Sequence, residues 1–169
     1  MAKPQMSFEP FQIKSMKLKN RIGLAPLLNM PGGWTSFSIT DETIEWYEAR
    51  ARGGAGLIMT GTFAPPMFAI PGLKEGFARL AEVVHSHGAR LGVQIGSGGP
   101  LLGTGPSLPP YPNELDAKQA IMDLLKMKSG LPAPAEPHAL TVEEIQGHVQ
   151  AFADTAATLK EAGVDCVEL

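Results

Sequence analysis

At 169 residues the chain is long enough for one ordinary domain with a real core. Its 44% hydrophobic and 18% charged content suit a globular class, and a net charge of -3 gives no reason to expect nucleic acid or an anionic membrane as partner. No apolar run approaches the roughly 20 residues needed to cross a bilayer, and the polar start Met1-Ala2-Lys3-Pro4-Gln5 lacks a signal-peptide core, so a cytoplasmic location is expected.

From Phe8 to Lys19 apolar and polar residues alternate around Lys14-Ser15, which predicts a short hairpin. The run Ile22-Gly23-Leu24-Ala25-Pro26-Leu27 suits a strand buried on both faces and ended by its proline. A Gly/Ser/Pro-rich loop leads to Thr40, a good N-cap before Asp41-Glu42; Ile44, Tyr47, Glu48 and Ala51 then keep helical spacing up to the stop at Gly53-Gly54. Residues 56–61 predict a second strand. Phe77, Leu80, Ala81 and Val84 mark a second helix closing at Gly88, and Arg90 to Ile95 a third strand.

Leu101 to Ala139 form a long insert, in which Asn113 caps a helix predicted over 114–127 between Pro-rich flanks. A loop this long after a strand is commonly either functional or disordered. Thr141-Val142-Glu143-Glu144 is then a capping box, opening a helix whose stripe Ile145, Val149, Phe152, Ala156 and Leu159 is expected to face inward until Gly163 stops it. A fourth strand is predicted over 165–169.

Strand–helix–strand alternation implies parallel pairing with right-handed crossovers. An open doubly wound sheet fits less well. Gly96-Ser97-Gly98-Gly99-Pro100 follows a strand but runs into Pro-rich sequence, and Leu101 stands where a third dinucleotide-binding glycine belongs. The expected fold is the N-terminal half, strands one to four, of a TIM (β/α)8 barrel, with an N-terminal β-hairpin and a long insert after the third strand. Residues 1–169 are expected to make one partial barrel, truncated within its fourth strand. A full barrel takes about 250 residues, so a C-terminal half-barrel or a partner chain is expected to complete it.

Several of these segments together resemble the old yellow enzyme family, in its branch of dienoyl-CoA, bile-acid dienoyl and aryl-CoA reductases. The likeness runs collinearly through Phe8-Glu9-Pro10-Phe11, Leu18-Lys19-Asn20-Arg21-Ile22, Ala25-Pro26-Leu27, Tyr47-Glu48-Ala49-Arg50-Ala51, Gly53-Gly54-Ala55-Gly56-Leu57-Ile58, His87-Gly88-Ala89, Val93-Gln94, Leu140 to Ile145 and Ala162 to Glu168. The resemblance implies FMN bound at the C-terminal mouth of the barrel. It implies reduction of an activated C=C bond of an unsaturated carbonyl or CoA thioester, with NAD(P)H or another electron donor. FAD and an iron–sulfur cluster would belong to a longer parent protein and not to this segment.

Carried over by position, Ala25, Pro26 and Leu27 would lie beside the isoalloxazine ring, with Leu28 where relatives often place Thr or Cys. Gly61 would allow close approach to the ring, and Gln94 would hydrogen-bond its pyrimidine edge. An amide suits that edge because it offers both donor and acceptor. The family's substrate-binding pair would follow the fourth strand just beyond Leu169, and the catalytic residues are likewise expected beyond Leu169. Ser97 and Pro100 replace its usual histidine and arginine, leaving the flavin surroundings more apolar. Under this resemblance the insert reads as a lid over the flavin face, or else as a subunit contact.

Plainer readings stand beside these. Gln94 could be an ordinary strand-end polar residue, and Ala25, Pro26, Leu27 and Gly61 packing or turn residues. His85 and His87 read as groups at a helix C-terminus, since two-residue spacing does not put them on one face for a metal. His138 and His148 read as surface residues, and Cys166 as an inert strand residue. The competing function is a catalytically silent half-barrel acting as scaffold or assembly subunit. A phosphate-binding lyase or isomerase barrel is weaker, because no lysine sits at a strand end.

Overall fold

The computed structural model describes residues 5–27, 38–96 and 140–169. Leu28, Ser97, Pro100, His138 and the insert with its expected helix over 114–127 lie outside these residues. A short helix α1 (Gln5–Phe8) precedes the hairpin β1 (Phe11–Ile13) and β2 (Met16–Leu18), paired antiparallel. Then come β3 (Gly23–Leu24), α2 (Asp41–Arg52), β4 (Leu57–Phe63), a 3-10 turn (Pro65–Ala69), α3 (Leu73–Ser86), β5 (Arg90–Ile95), α4 (Val142–Glu161) and β6 (Cys166–Glu168). The four later strands form one sheet in the order β3-β4-β5-β6, every pair parallel. This is the sequential parallel order the sequence predicts.

One face of the sheet carries the core. Ile58 and Phe63 of β4 and Leu91, Val93 and Ile95 of β5 pack with Tyr47 and Ala51 of α2, Phe77, Leu80 and Val84 of α3, and Leu159 of α4. The opposite face carries Met59, Gly92 and Cys166. A Cβ on Gly92 would run into the sulfurs of Met59 and Cys166, so any larger residue there requires those side chains to shift. The helices have the ends their sequence dictates. Thr40 caps α2 through the Thr43 N–H at 3.2 Å, and Thr141 and Glu144 form the reciprocal box on α4 at 3.2 and 2.7 Å. The expected stops Gly54, Gly88 and Gly163 all have positive φ.

Three expectations need correction. Ile145 and Val149 do not face inward; they are 48% and 67% exposed. The stripe is continuous along α4, but only its C-terminal half, from Phe152 through Ala156 to Leu159, reaches the core. The first strand is shorter than 22–27, because β3 pairs only through Gly23↔Leu57 and Leu24↔Ile58 before Pro26 intervenes. The second is longer than expected and runs on to Phe63, and the 3-10 turn after it was not foreseen. That turn delivers Phe68 against Phe63 and Phe77, the latter pair edge to face with centroids 4.9 Å apart.

The hairpin sits below the N-terminal ends of the strands. Lys17 O accepts from Arg90 Nε at 3.2 Å, and Lys19 Nζ donates to His87 O at 2.7 Å. His85 and His87 here meet carboxylates: Asp165 Oδ2 at 2.6 Å and Glu48 Oε1 at 3.0 Å. Among the described residues no helix is long and apolar enough to cross a membrane.

Candidate functional site

Parallel strands bring all their C-terminal ends to one edge of the sheet, where loops are free to gather groups from several strands. Ala25, Pro26 and Leu27 leave β3 at that edge, Pro26 half-buried and Leu27 exposed. Gly61 lies near the end of β4 and Gln94 near the end of β5. Five of the six expected site residues therefore share one end of the sheet, while Leu28 lies outside the described residues.

The geometry around Gly61 differs from a simple strand end. Thr60 pairs with Val93 and Thr62 with Gln94, so Gly61 is the extra residue of a β-bulge. Its N–H donates to the Tyr47 hydroxyl at 3.3 Å, which turns this group toward α2 and away from the open face. Tyr47 is buried, and loss of hydration raises its pKa against smaller opposing effects of the Gly61 N–H and the Arg50 charge.

The bulge has a consequence for the next side chain. Strict alternation along β4 would send Thr62 to the helix side with Ile58 and Thr60. The extra residue restores the phase, so Phe63 points into the core and Thr62 joins Gln94 on the opposite face. Thr62 Oγ1 donates to Gln94 Oε1. In the next register position Gln94 pairs with Glu168, so Thr62, Gln94 and Glu168 form a polar row across three strands. Sequence reasoning missed Thr62 and Glu168. The Thr60-Gly61-Thr62 break in an otherwise apolar strand was the available signal.

Alternation confirms the direction of Gln94. Leu91, Val93 and Ile95 belong to the core, so Gly92 and Gln94 face the other way. The Gln94 nitrogen meets no acceptor among the described residues, and the side chain is half-buried. An unpaired donor at this edge fits the acceptor atoms on the polar edge of a heterocyclic cofactor. A different cleft of about 530 Å³ lies between the 3-10 turn and α4, lined by Pro65, Phe68, Gly147, His148, Ala151 and Thr155. It belongs to the helix layer and carries none of the expected site residues.

Cys166 stands near this row on the open face. Burial, with Asp165 and Glu168 nearby, pushes its thiol pKa up, which disfavours the nucleophilic thiolate.

Residues 7–169 match the NADH:flavin oxidoreductase / NADH oxidase family. A metal reductase of Desulforamulus reducens is 33% identical, with 96% of this chain covering 24% of that protein. A cinnamate reductase of Clostridium sporogenes is 32% identical, covering 25% of its length. An NADPH dehydrogenase of Bacillus velezensis is 28% identical, covering 47%. The chain thus spans about a quarter to a half of the length of these three relatives. Among solved structures, the 2-naphthoyl-CoA reductase complex with 2-naphthoyl-CoA aligns with TM-score 0.71 at 19% identity, over 96% of this chain and 26% of that one. Old yellow enzyme from Pichia sp. AKU4542 aligns with TM-score 0.65 at 20% identity, over 96% and 45%.

Proposed function

The chain belongs to the NADH:flavin oxidoreductase / NADH oxidase family, and from that premise we propose that it is the N-terminal half of an FMN-dependent (β/α)8 barrel. The complete protein would reduce an activated C=C bond of an unsaturated carbonyl or CoA thioester, using NAD(P)H or another electron donor. FMN supplies the hydride chemistry when bound. A C-terminal half-barrel, from the same parent or from a partner chain, would close the open face. A parent as long as the metal reductase has room for FAD and an iron–sulfur cluster outside this segment.

The observation that carries the reading is the Gln94 amide, held on the open face at the C-terminal edge with its nitrogen unpaired among the described residues. There it would bond the pyrimidine edge of the ring. Ala25, Pro26, Leu27 and Leu28 would form an apolar wall that excludes water beside it. Gly61 would contribute through its bulge, which decides which β4 side chain faces the cofactor.

The experiment is to express the complete protein, or this chain together with the half that completes it, and to assay bound flavin and NAD(P)H-driven reduction of a cinnamate-type acid, an enone and an enoyl-CoA. Stoichiometric FMN and turnover of at least one acceptor are expected. A complete protein that takes up no FMN would overturn the reading in favour of a silent scaffold.

A further inference from the structure

We propose that Tyr47 is a positioning residue for the cofactor face, holding Gly61 so that this glycine turns no polar group toward the flavin. The inference rests on the flavin site proposed above and deepens it. Tyr47 lies in the helix layer and acts only through Gly61.

The direction of the contact is settled by its donor. A backbone N–H can only donate, so the Tyr47 oxygen accepts from Gly61 at 3.3 Å. The Gly61 carbonyl can only accept, and it takes the Thr60 hydroxyl at 3.2 Å. Both backbone groups of Gly61 are thereby met by buried side chains, Tyr47 being 1% and Thr60 0% exposed. With no side chain of its own, the glycine has only its α-carbon left to present to the open face.

The bulge makes this acceptor necessary. An extra residue in a strand leaves its N–H without a ladder partner, and a buried N–H left unpaired is costly. Tyr47 is well fixed for the task. It packs in the core with Ile44 and Ala51 of its own helix, which Thr40 caps at one end and Gly53 at the other. Phe63, two residues beyond Gly61, is seated in the same core against Phe77. Loss of the phenol therefore leaves β4 in place and frees Gly61. With the core closed on one side, the freed N–H turns to the open face.

That turn changes the chemistry offered to the cofactor. The residue after Gly61 pairs with Gln94, so the glycine and the amide lie side by side at the strand ends. A bare α-carbon lets the ring lie close and leaves its hydrogen bonding to Gln94. An outward N–H would add a second donor beside the amide and draw the ring away from it.

The test compares Tyr47→Phe, which keeps the ring and loses the acceptor, with Asp165→Ala, which removes polar contacts at the opposite end of the sheet. A ring-fluorinated tyrosine at position 47, a weaker acceptor of nearly the same shape, gives a graded step and carries the comparison if Tyr47→Phe fails to fold. Gln94→Leu tests the flavin site itself. One measurement is hydrogen exchange of the Gly61 amide, relative to that of Val93, in the 169-residue chain. The other is the dissociation constant and visible spectrum of FMN in the completed protein.

In Tyr47→Phe the Gly61 amide should exchange faster relative to Val93. FMN should bind about tenfold more weakly, with shifted absorption bands, as expected for one lost hydrogen bond. The fluorinated residue should fall between Tyr47→Phe and wild type. Asp165→Ala should leave the exchange ratio, the affinity and the bands as in wild type, although it too weakens the fold. Equal changes in Tyr47→Phe and Asp165→Ala would reduce Tyr47 to a structural role and overturn the proposal. A wild-type affinity and spectrum in Tyr47→Phe, with Gln94→Leu still weakening FMN, would overturn it as well. Unchanged FMN binding in Gln94→Leu would remove the flavin site itself, and the proposal with it.

Discussion

The Tyr47 hydroxyl, in the middle of α2, accepts the backbone N–H of Gly61 at 3.3 Å and so anchors the bulge of β4 from inside the core. A bulge leaves one residue without a ladder partner, and this phenol satisfies it. Tyr47→Phe keeps the ring and leaves the Gly61 N–H unpaired, and should cost about 1–3 kcal/mol. Urea unfolding of the chain measures it. A change below about 0.3 kcal/mol would mean that the bulge is held by strand pairing alone.

Alkaline pH should weaken the fold. The pKa values of both Tyr47 and Cys166 are raised, in each case chiefly by burial. The unfolded chain therefore releases these protons first as pH rises, and binds fewer than the folded chain. Their contribution is complete below the ordinary thiol value of 9.0 and is lost as pH climbs through the raised folded values. Urea midpoints should fall from pH 9 upward, and Cys166→Ser together with Tyr47→Phe should flatten that slope. For the same reason a thiol reagent should label Cys166 more slowly in the folded chain than in urea at pH 8.

Much of this architecture is legible in the sequence, because capping boxes, glycine stops and apolar strand runs each have a local physical cause. Thr141, Glu144 and Gly163 predict the ends of α4 within a residue or two. The periodicity of Ile145 and Val149 says only which side chains share a side of the helix, not how far along it the core extends. Likewise, an apolar run such as Leu57–Phe63 hides which residues face the helices, so the bulge and the partnership of Thr62 with Gln94 do not show. That Gln94 stands near the end of a strand was legible from the apolar run Arg90 to Ile95.

Asp165 is the main polar tie between β5 and the chain entering β6. Its Oδ2 accepts from Leu91 N at 2.9 Å and lies 2.6 Å from His85 Nε2, while Oδ1 accepts from Arg90 at 3.1 Å. Asp165→Ala leaves the Leu91 N–H without its side-chain acceptor and should cost about 1–3 kcal/mol. Asp165→Asn keeps an acceptor oxygen and should cost less, since the Arg90 partner is well exposed and contributes little. Equal losses in chemical denaturation would assign the effect to charge and not to the backbone bond.

Gly92→Ala should destabilise by about 1–3 kcal/mol, because its methyl would meet the sulfurs of Met59 and Cys166. Methionine is flexible, and part of the loss should be avoided by its moving aside. Adding Met59→Ala should recover stability relative to the single variant, giving a favourable coupling in a double-mutant cycle. Additive losses would show that the methyl is excluded by the backbone and not by Met59.

Every pairing in the parallel sheet joins strands that are neighbours in the chain, so assembly can proceed by accretion, each strand docking on the one before it. The crossover from β5 to α4, residues 96–141, is the longest of these closures. Closure entropy grows only logarithmically, by about 0.6 kcal/mol for each doubling of a flexible loop. Lengthening or replacing that stretch would therefore burden the fold very little. It departs two residues after Gln94, so sequence drift there can change what approaches the C-terminal end of β5 while the sheet stays as it is.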